Sequence, residues 1–324
     1  MTPINYLKSL ITGIPKLSRL TGYSSARLTL AFLRCFIVRH TQFEEFRTLR
    51  LYEASNLHLS RILTCYECMK ISDKLNEKAT KEDTALFDDK HLLYDYFRGY
   101  IHRDWLSLEN CTEEDIAAFL LRNEYFLIKP CVSSRGKGIS KFCSKDLVPE
   151  DFIREYLGKD FVAEAFIRQH SALSAINPTS VNTVRIVTAA RNGRMTMIGG
   201  GLRCGGSTDF VDNFHHGGAA YPIDMDSGII TEPGITLDGL NIICHPSTQH
   251  IMPGFQIPHW EKLTETIRSA ALHNPRVGYV GWDFAITEDG VELIEGNINY
   301  PGNNVIQLGS YPTARQRLLD FMKD

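Results

Sequence analysis

Residues 291–304 read VELIEGNINYPGNN. An apolar run ends in Glu295 and Asn297, two apart and so on one face of a strand, before Pro301-Gly302 breaks it. The preceding strand-like run, VGYVGWDFAI (277–286), joins it through TEDG, where Gly290 suits a left-handed loop position. A three-residue loop, 288–290, would pair Thr287 with Val291 and Ala285 with Leu293, and set Asp283 opposite Glu295. Asp283, Glu295 and Asn297 would then converge on one face. Two carboxylates that close repel unless one is protonated or a cation lies between them. Two acids and an amide form a hard, all-oxygen set suited to Mg²⁺, which completes its shell with water and phosphate oxygens. A nucleotide is the expected companion; a solvated strand end with ordinary surface acids is the competing reading.

The chain around this hairpin has 324 residues, a length that usually divides into two lobes or domains. With 43% hydrophobic and 23% charged residues it has the composition of a globular protein. ARLTLAFLRCFIV (26–38) is interrupted by Arg34 and falls short of the roughly 18 apolar residues of a membrane span. Eight cysteines in a chain this long suggest reduced thiols rather than a disulfide framework. Cys65 and Cys68 form a CxxC, but no second ligand pair follows for zinc and the surrounding pattern is helical, so packing explains them best.

Charge is uneven. Residues 1–40 hold Lys8, Lys16, Arg19, Arg27, Arg34 and Arg39 and no acid, a charge of +6 that leaves −9 for the remaining 284 residues of a chain with net −3. Such a segment can dock on an acidic body, lie on an anionic membrane surface or meet an acidic partner. Near-neutral net charge and the lack of a nucleic-acid motif exclude nucleic acid as the expected partner.

From about 24 to 105 the apolar spacing is helical. Thr112 with Asp115 predicts a capped helix of about ten residues. Strands are expected at 125–130, 161–167, 181–190, 194–202, 217–224, 277–286 and 291–298, with helices near 149–157 and 258–273. Without βαβ alternation, this mixture predicts an α+β fold with largely antiparallel sheets.

A second feature supports a nucleotide. In FLIKPCVSSRGKGIS (126–140), Lys129 ends a strand and a small polar loop places Gly136 and Gly138 around Lys137. Glycines let backbone N–H groups approach phosphate oxygens, and lysines supply charge. Ile139 stands where a Walker A loop needs Ser or Thr, and surface turns use the same residues.

IKP, SSRGKGI, AEAFI, RIVTAA, RCGGSTDFVDNFHHGG and GWDFAI…VELIEGNINYPG follow one another in the order and spacing of ATP-grasp ligases. From about Lys90 onward the chain most resembles the sugar-transfer-associated branch, and it is also similar to ligases that add glutamate to protein or cofactor tails. The resemblance implies two α+β lobes gripping ATP, the smaller about 106–165 and the larger about 166–324, after a helical region at 1–105. It implies that Lys90 and Lys129 bind the α and β phosphates, and that the loop Ser133, Ser134, Gly136, Lys137 and Gly138 covers them. Glu164, Ala165, Phe166 and Ile167 resemble the hinge that reads the adenine edge through backbone groups and one carboxylate, with Ile294 packing under the base. Asp283, Glu295 and Asn297 match the magnesium ligands. Arg185, Arg203 and Asn213 match positions near the transferred phosphoryl group and acceptor, while His215 and His216 either contact substrate or support their loop.

One position departs from the pattern. Dipeptide ligases of this superfamily carry Arg two residues before the first metal aspartate, and here Gly281 stands there. The stabilising charge would have to come from Arg185 or Arg203. The resemblance thus implies an ADP-forming carboxylate-amine ligase using ATP and Mg²⁺ on a sugar acid or amino acid, in surface-polysaccharide or natural-product synthesis. Its expected partners are small-molecule carboxylates and amines, a sugar nucleotide or a lipid-linked glycan among them, in the cytoplasm or at the inner membrane face. A kinase acting on a hydroxyl and a non-catalytic ATP-binding regulator are the rival readings.

Overall fold

The computed structural model describes residues 3–133, 137–206, 218–299, 301–302, 305–307 and 313–323. The helical periodicity becomes α1 (Pro3–Thr21), α2 (Ser25–Arg39), α3 (Phe43–Thr48), α4 (Asn56–Arg61), α5 (Cys65–Leu75), α6 (Lys81–Asp88) and α7 (Lys90–Tyr96). Side-chain caps set several starts: Ser24, Ser55, Thr64, Thr80 and Asp89 each accept from an N–H in the following first turn. α1 falls inside the helical region expected at 1–105 and runs through Pro15. Cys65 and Cys68 sit on α5, and none of the eight cysteines is in a disulfide.

The remainder alternates irregularly: β1 (Trp105–Ser107), α8 (Glu113–Arg122), β2 (Tyr125–Pro130), β3 (Ser140–Cys143), α9 (Pro149–Tyr156), β4 (Phe161–Ala165), α10 (Ser171–Ile176), β5 (Thr183–Arg191), β6 (Arg194–Cys204), β7 (Ala219–Pro222), β8 (Gly234–Thr236), β9 (Asn241–Ile242), α11 (Trp260–His273), β10 (Tyr279–Ile286), β11 (Val291–Asn297) and α12 (Ala314–Lys323). Thr112 and Asp115 form the expected capping box on α8. The strands make two sheets, β1-β4-β2-β3 and β11-β10-β5-β6-β7-β8-β9. Among the described residues every strand pair is antiparallel, in keeping with the α+β reading.

Each sheet has an apolar cluster. Ile116, Phe119, Phe126, Ile128 and Phe152 fill the smaller one. Around the larger sheet, Val184, Ile186, Trp282, Phe284 and Leu293 pack with Leu86, Phe87, Leu93, Tyr94 and Phe97. The last two amino-terminal helices therefore belong to the core under the long sheet. α1 to α4 gather around a separate cluster of Leu17, Leu28, Phe32, Phe46 and Leu59.

The β10–β11 register differs from the prediction in an instructive way. Ile286, not Thr287, pairs with Val291, and Phe284 pairs with Leu293. The loop therefore spans four residues, closed by Thr287 N donating to Gly290 O at 2.8 Å. The ladder then skips Ile294, so that Asp283 does face Glu295. A one-residue slip at the turn is cancelled by a one-residue bulge.

Glu45 on α3 ties α5 to the amino-terminal helices, its buried carboxylate accepting from Cys65 N at 2.8 Å and Gln42 N at 3.2 Å. Burial pushes its pKa up to about 7, with the backbone donors opposing the shift. A carboxyl whose folded pKa lies above its unfolded 4.5 contributes stability at low pH that is lost as pH rises toward about 7. The shift corresponds to about 3 kcal/mol at most. Denaturant titrations should show stability falling between about pH 4.5 and pH 7, and Glu45→Gln should flatten that slope; an equal slope in both proteins would assign it elsewhere.

Candidate functional site

Strand pairing builds the site before any side chain is considered. Asp283 lies opposite Glu295 on one side and Arg185 on the other, and Arg203 lies across from Thr183 on β6. Arg185 Nε and Nη2 both bind Asp283, Nη2 at 2.6 Å, and Nη2 lies 3.8 Å from Glu295 Oε1. Arg203 Nη2 reaches Asp283 Oδ2 at 3.1 Å and Thr183 Oγ1 at 2.9 Å. Asn297 Nδ2 donates to Glu295 Oε1 at 3.1 Å. The three expected oxygen ligands and the two expected arginines thus form one contiguous cluster.

Burial opposes ionisation of Asp283, but Arg185 and Arg203 outweigh it and hold its pKa below the ordinary carboxylate value. Burial and the neighbouring Asp283 push Glu295 the other way. With 41% of that side chain exposed, solvent screens part of the effect. Two carboxylate oxygen donors and an amide carbonyl fit a hard divalent cation. Among the described residues no three His, Cys, Asp or Glu gather, so a cation here would need Asn297 and oxygens from a bound ligand.

The lysines sit at the other sheet. Lys90 Nζ donates to Pro130 O at 3.1 Å and Ser133 Oγ at 3.0 Å, holding the start of the glycine loop. Burial lowers its pKa, while Glu295 raises it and Lys129 lowers it, which places Lys90 within electrostatic reach of both clusters. Gly138 has φ +75 and its missing Cβ would lie 2.9 Å from Pro130 Cγ, so glycine is required for this loop conformation. Lys137 is exposed beside it. Ser134, Gly136, Asn213, His215 and His216 lie outside the described residues.

Glu164 is buried and its carboxylate is fully committed: Lys129 Nζ pairs with Oε1, Tyr94 Oη donates to Oε2 at 2.6 Å and Arg103 Nε donates to Oε2 at 3.0 Å. Its contacts here are with Lys129, Tyr94 and Arg103. Burial works against its charge, yet Arg103 and Lys129 bring its pKa down to about 2. Ala165 N and Phe166 N donate to Asp104 O and Tyr125 O. Ile294, expected under the adenine, is the half-buried residue skipped by the β11 ladder.

Sequence reasoning missed Arg103 and Glu292. Arg103 Nη1 donates to Glu292 Oε1 at 2.6 Å and Leu293 O at 2.7 Å, while Nε holds Glu164. Its guanidinium carbon lies 4.7 Å from the Tyr94 ring centre. One buried arginine therefore ties β4 of the short sheet to β11 of the long one. Only its place in the charged HRDW (102–105) could have flagged it, since its partners are 61 and 189 residues away.

Gly281 also finds its reason. A Cβ there would overlap the Pro301 carbonyl, because Pro301-Gly302 folds back over β10. Gly302, at φ +94, packs 3.2 Å (measured to its missing Cβ) from Arg185 Nη1. The space that a side chain at 281 would need is taken by the turn that ends β11.

The sequence model of the sugar-transfer associated ATP-grasp family matches residues 155–323. No curated protein matches the sequence. Among solved structures, D-alanine–D-alanine ligase from Helicobacter pylori is 16% identical with a TM-score of 0.42, covering 75% of this chain and 62% of that one. Carboxyaminoimidazole ribonucleotide synthase from Aspergillus clavatus, complexed with ATP, is 12% identical with a TM-score of 0.40, covering 65% and 44%. L-amino acid ligase from Bacillus licheniformis is 11% identical with a TM-score of 0.40, covering 68% and 43%. This chain spans less than half the length of the latter two.

Proposed function

The chain belongs to the sugar-transfer associated ATP-grasp family, and we propose that it is an ATP-dependent, ADP-forming ligase joining a small carboxylic acid to an amine. The observation that carries this reading is the Arg185–Asp283–Arg203 cluster beside Glu295 and Asn297, within electrostatic reach of Lys90. In this reading residues 1–105 precede a catalytic region whose smaller lobe is 106–165 and larger lobe 166–324.

Lys90 and Lys129 hold the α and β phosphates of ATP, and the 133–138 loop folds over them. Asp283, Glu295 and Asn297 would hold Mg²⁺, which neutralises phosphate charge when bound. The substrate carboxylate attacks the γ phosphorus and ADP leaves; the amine then adds to the acyl phosphate carbonyl, loses a proton and expels phosphate. Arg185 and Arg203 stabilise the acyl phosphate and the tetrahedral oxyanion, electrostatic work that preorganised buried donors do best. The substrates fitting this scheme are sugar acids or amino acids in surface-polysaccharide or related synthesis.

Gly281 favours a second reading. With the dipeptide-ligase arginine sterically excluded, phosphoryl transfer to a hydroxyl would need no acyl-phosphate clamp at that position. ADP formation over a panel of uronic acids, amino acids and amines separates the two. Dependence on an acid and an amine together supports the ligase; a phosphorylated alcohol replaces it with the kinase; ATP binding without turnover on any pair replaces both with a regulator.

A further inference from the structure

Helix α2 carries two apolar faces, and the core uses one. Leu28, Phe32 and Cys35 point inward with Leu17 and Phe46. Leu30, Leu33 and Ile37, at spacings of three and four, are 69%, 43% and 72% exposed, with Phe36 and Val38 beside them at 39% and 62%. Single exposed apolar residues are ordinary, but a contiguous helical stripe marks a surface that meets something.

The charges beside the stripe identify its partner. Arg27 and Arg34 stand three residues before Leu30 and Ile37, so each flanks an exposed apolar side chain on the helix surface. Both are exposed, and neither meets a carboxylate among the described residues. Arg27 lies over the Tyr23 ring at 3.9 Å, and Arg34 donates to Asn56 Oδ1 at 2.8 Å and Ala54 O at 3.2 Å. The first 40 residues contain no acid to neutralise them. Part of the basic set does face the protein, since Lys16 reaches Asp238 at 3.4 Å and Arg39 binds Glu67 at 2.6 Å. Among the described residues, Arg27 and Arg34 on the outer face of α2 make no such pair with an acid.

We propose that this face docks on an anionic lipid bilayer, with Leu30, Leu33 and Ile37 entering the headgroup boundary and Arg27 and Arg34 meeting lipid phosphates. An apolar stripe edged by arginines is the arrangement of an in-plane interfacial helix. No described helix is long and apolar enough to cross a membrane. A second copy fits worse, because a symmetric α2–α2 contact would bring two sets of Arg27 and Arg34 together, and α2 itself carries no acid to offset them. The proposal stands apart from the catalytic reading and survives its failure.

Full-length protein would be sedimented with vesicles of phosphatidylglycerol and phosphatidylcholine in equal parts, and with phosphatidylcholine alone. Binding is expected to the anionic vesicles and to weaken with salt. Leu30→Ser with Ile37→Ser, and separately Arg27→Gln with Arg34→Gln, should each reduce partitioning about tenfold or more, with unchanged circular dichroism because the replaced side chains are exposed. Absence of binding at low salt overturns the proposal, as does wild-type binding by both variants. A lipid-free, concentration-dependent dimer lost in the serine variant would give the stripe to a second copy instead.

Discussion

Glu295→Gln should lower ADP-forming turnover by about a thousandfold, or about 4 kcal/mol of barrier, while leaving thermal unfolding unchanged. The fold should survive because the side chain is 41% exposed and its neighbours tolerate an amide: Asn297 Nδ2 can still donate to an amide oxygen, and Arg185 keeps Asp283 as its main partner. What the substitution removes is charge. With Asp283 bound by two arginines, Glu295 is the carboxylate best able to offer its charge to a cation. Affinity for ADP should therefore lose its dependence on added Mg²⁺ in the variant while the metal-independent part remains. Wild-type turnover in a folded variant would remove Glu295 from the metal set.

Arg103→Met should have the largest effect on both stability and nucleotide affinity. Arg103, Lys129, Glu164 and Glu292 form a buried quartet of balanced charge. Removing the arginine takes from Glu292 its arginine partner and leaves Glu164 with Lys129, a loss of about 3–5 kcal/mol. Lys129 should suffer as well, because Glu164 would then concentrate its charge on Lys129 and compete with phosphate. Adenosine and ADP affinities distinguish this from general unfolding: the gain in affinity from adenosine to ADP should shrink at least tenfold. Combining Arg103→Met with Glu292→Gln removes charge in a pair and should restore much of the stability without restoring that gain. If the double variant binds ADP as tightly as wild type, Arg103 is a structural tie and nothing more.

The hairpin shows how far local reasoning reaches. Alternation located β10 and β11 to within two residues, and turn chemistry located their loop. The loop length was misjudged by one because Thr287 N closes on Gly290 O, an energy difference between turn types that sequence hardly records. Asp283 still faces Glu295, since the bulge at Ile294 absorbs the error. Short strands such as β8 and β9, and the helix α12, escaped prediction because their periodic signal is brief.

The sequence by itself determined the α+β class, the helical beginning, the positions of the main strands and the family, because these depend on side-chain period, caps and turns acting over a few residues. Only the tertiary structure decided what the charged groups do to each other. Glu164 gains its partners, Arg103 at 61 residues' separation and Lys129 in the adjacent strand, only when the strands assemble. Gly281 looked like a missing arginine until the Pro301 carbonyl filled its space. Electrostatic and steric contacts fall off with distance in space rather than along the chain, so their outcome waits on which strands become neighbours.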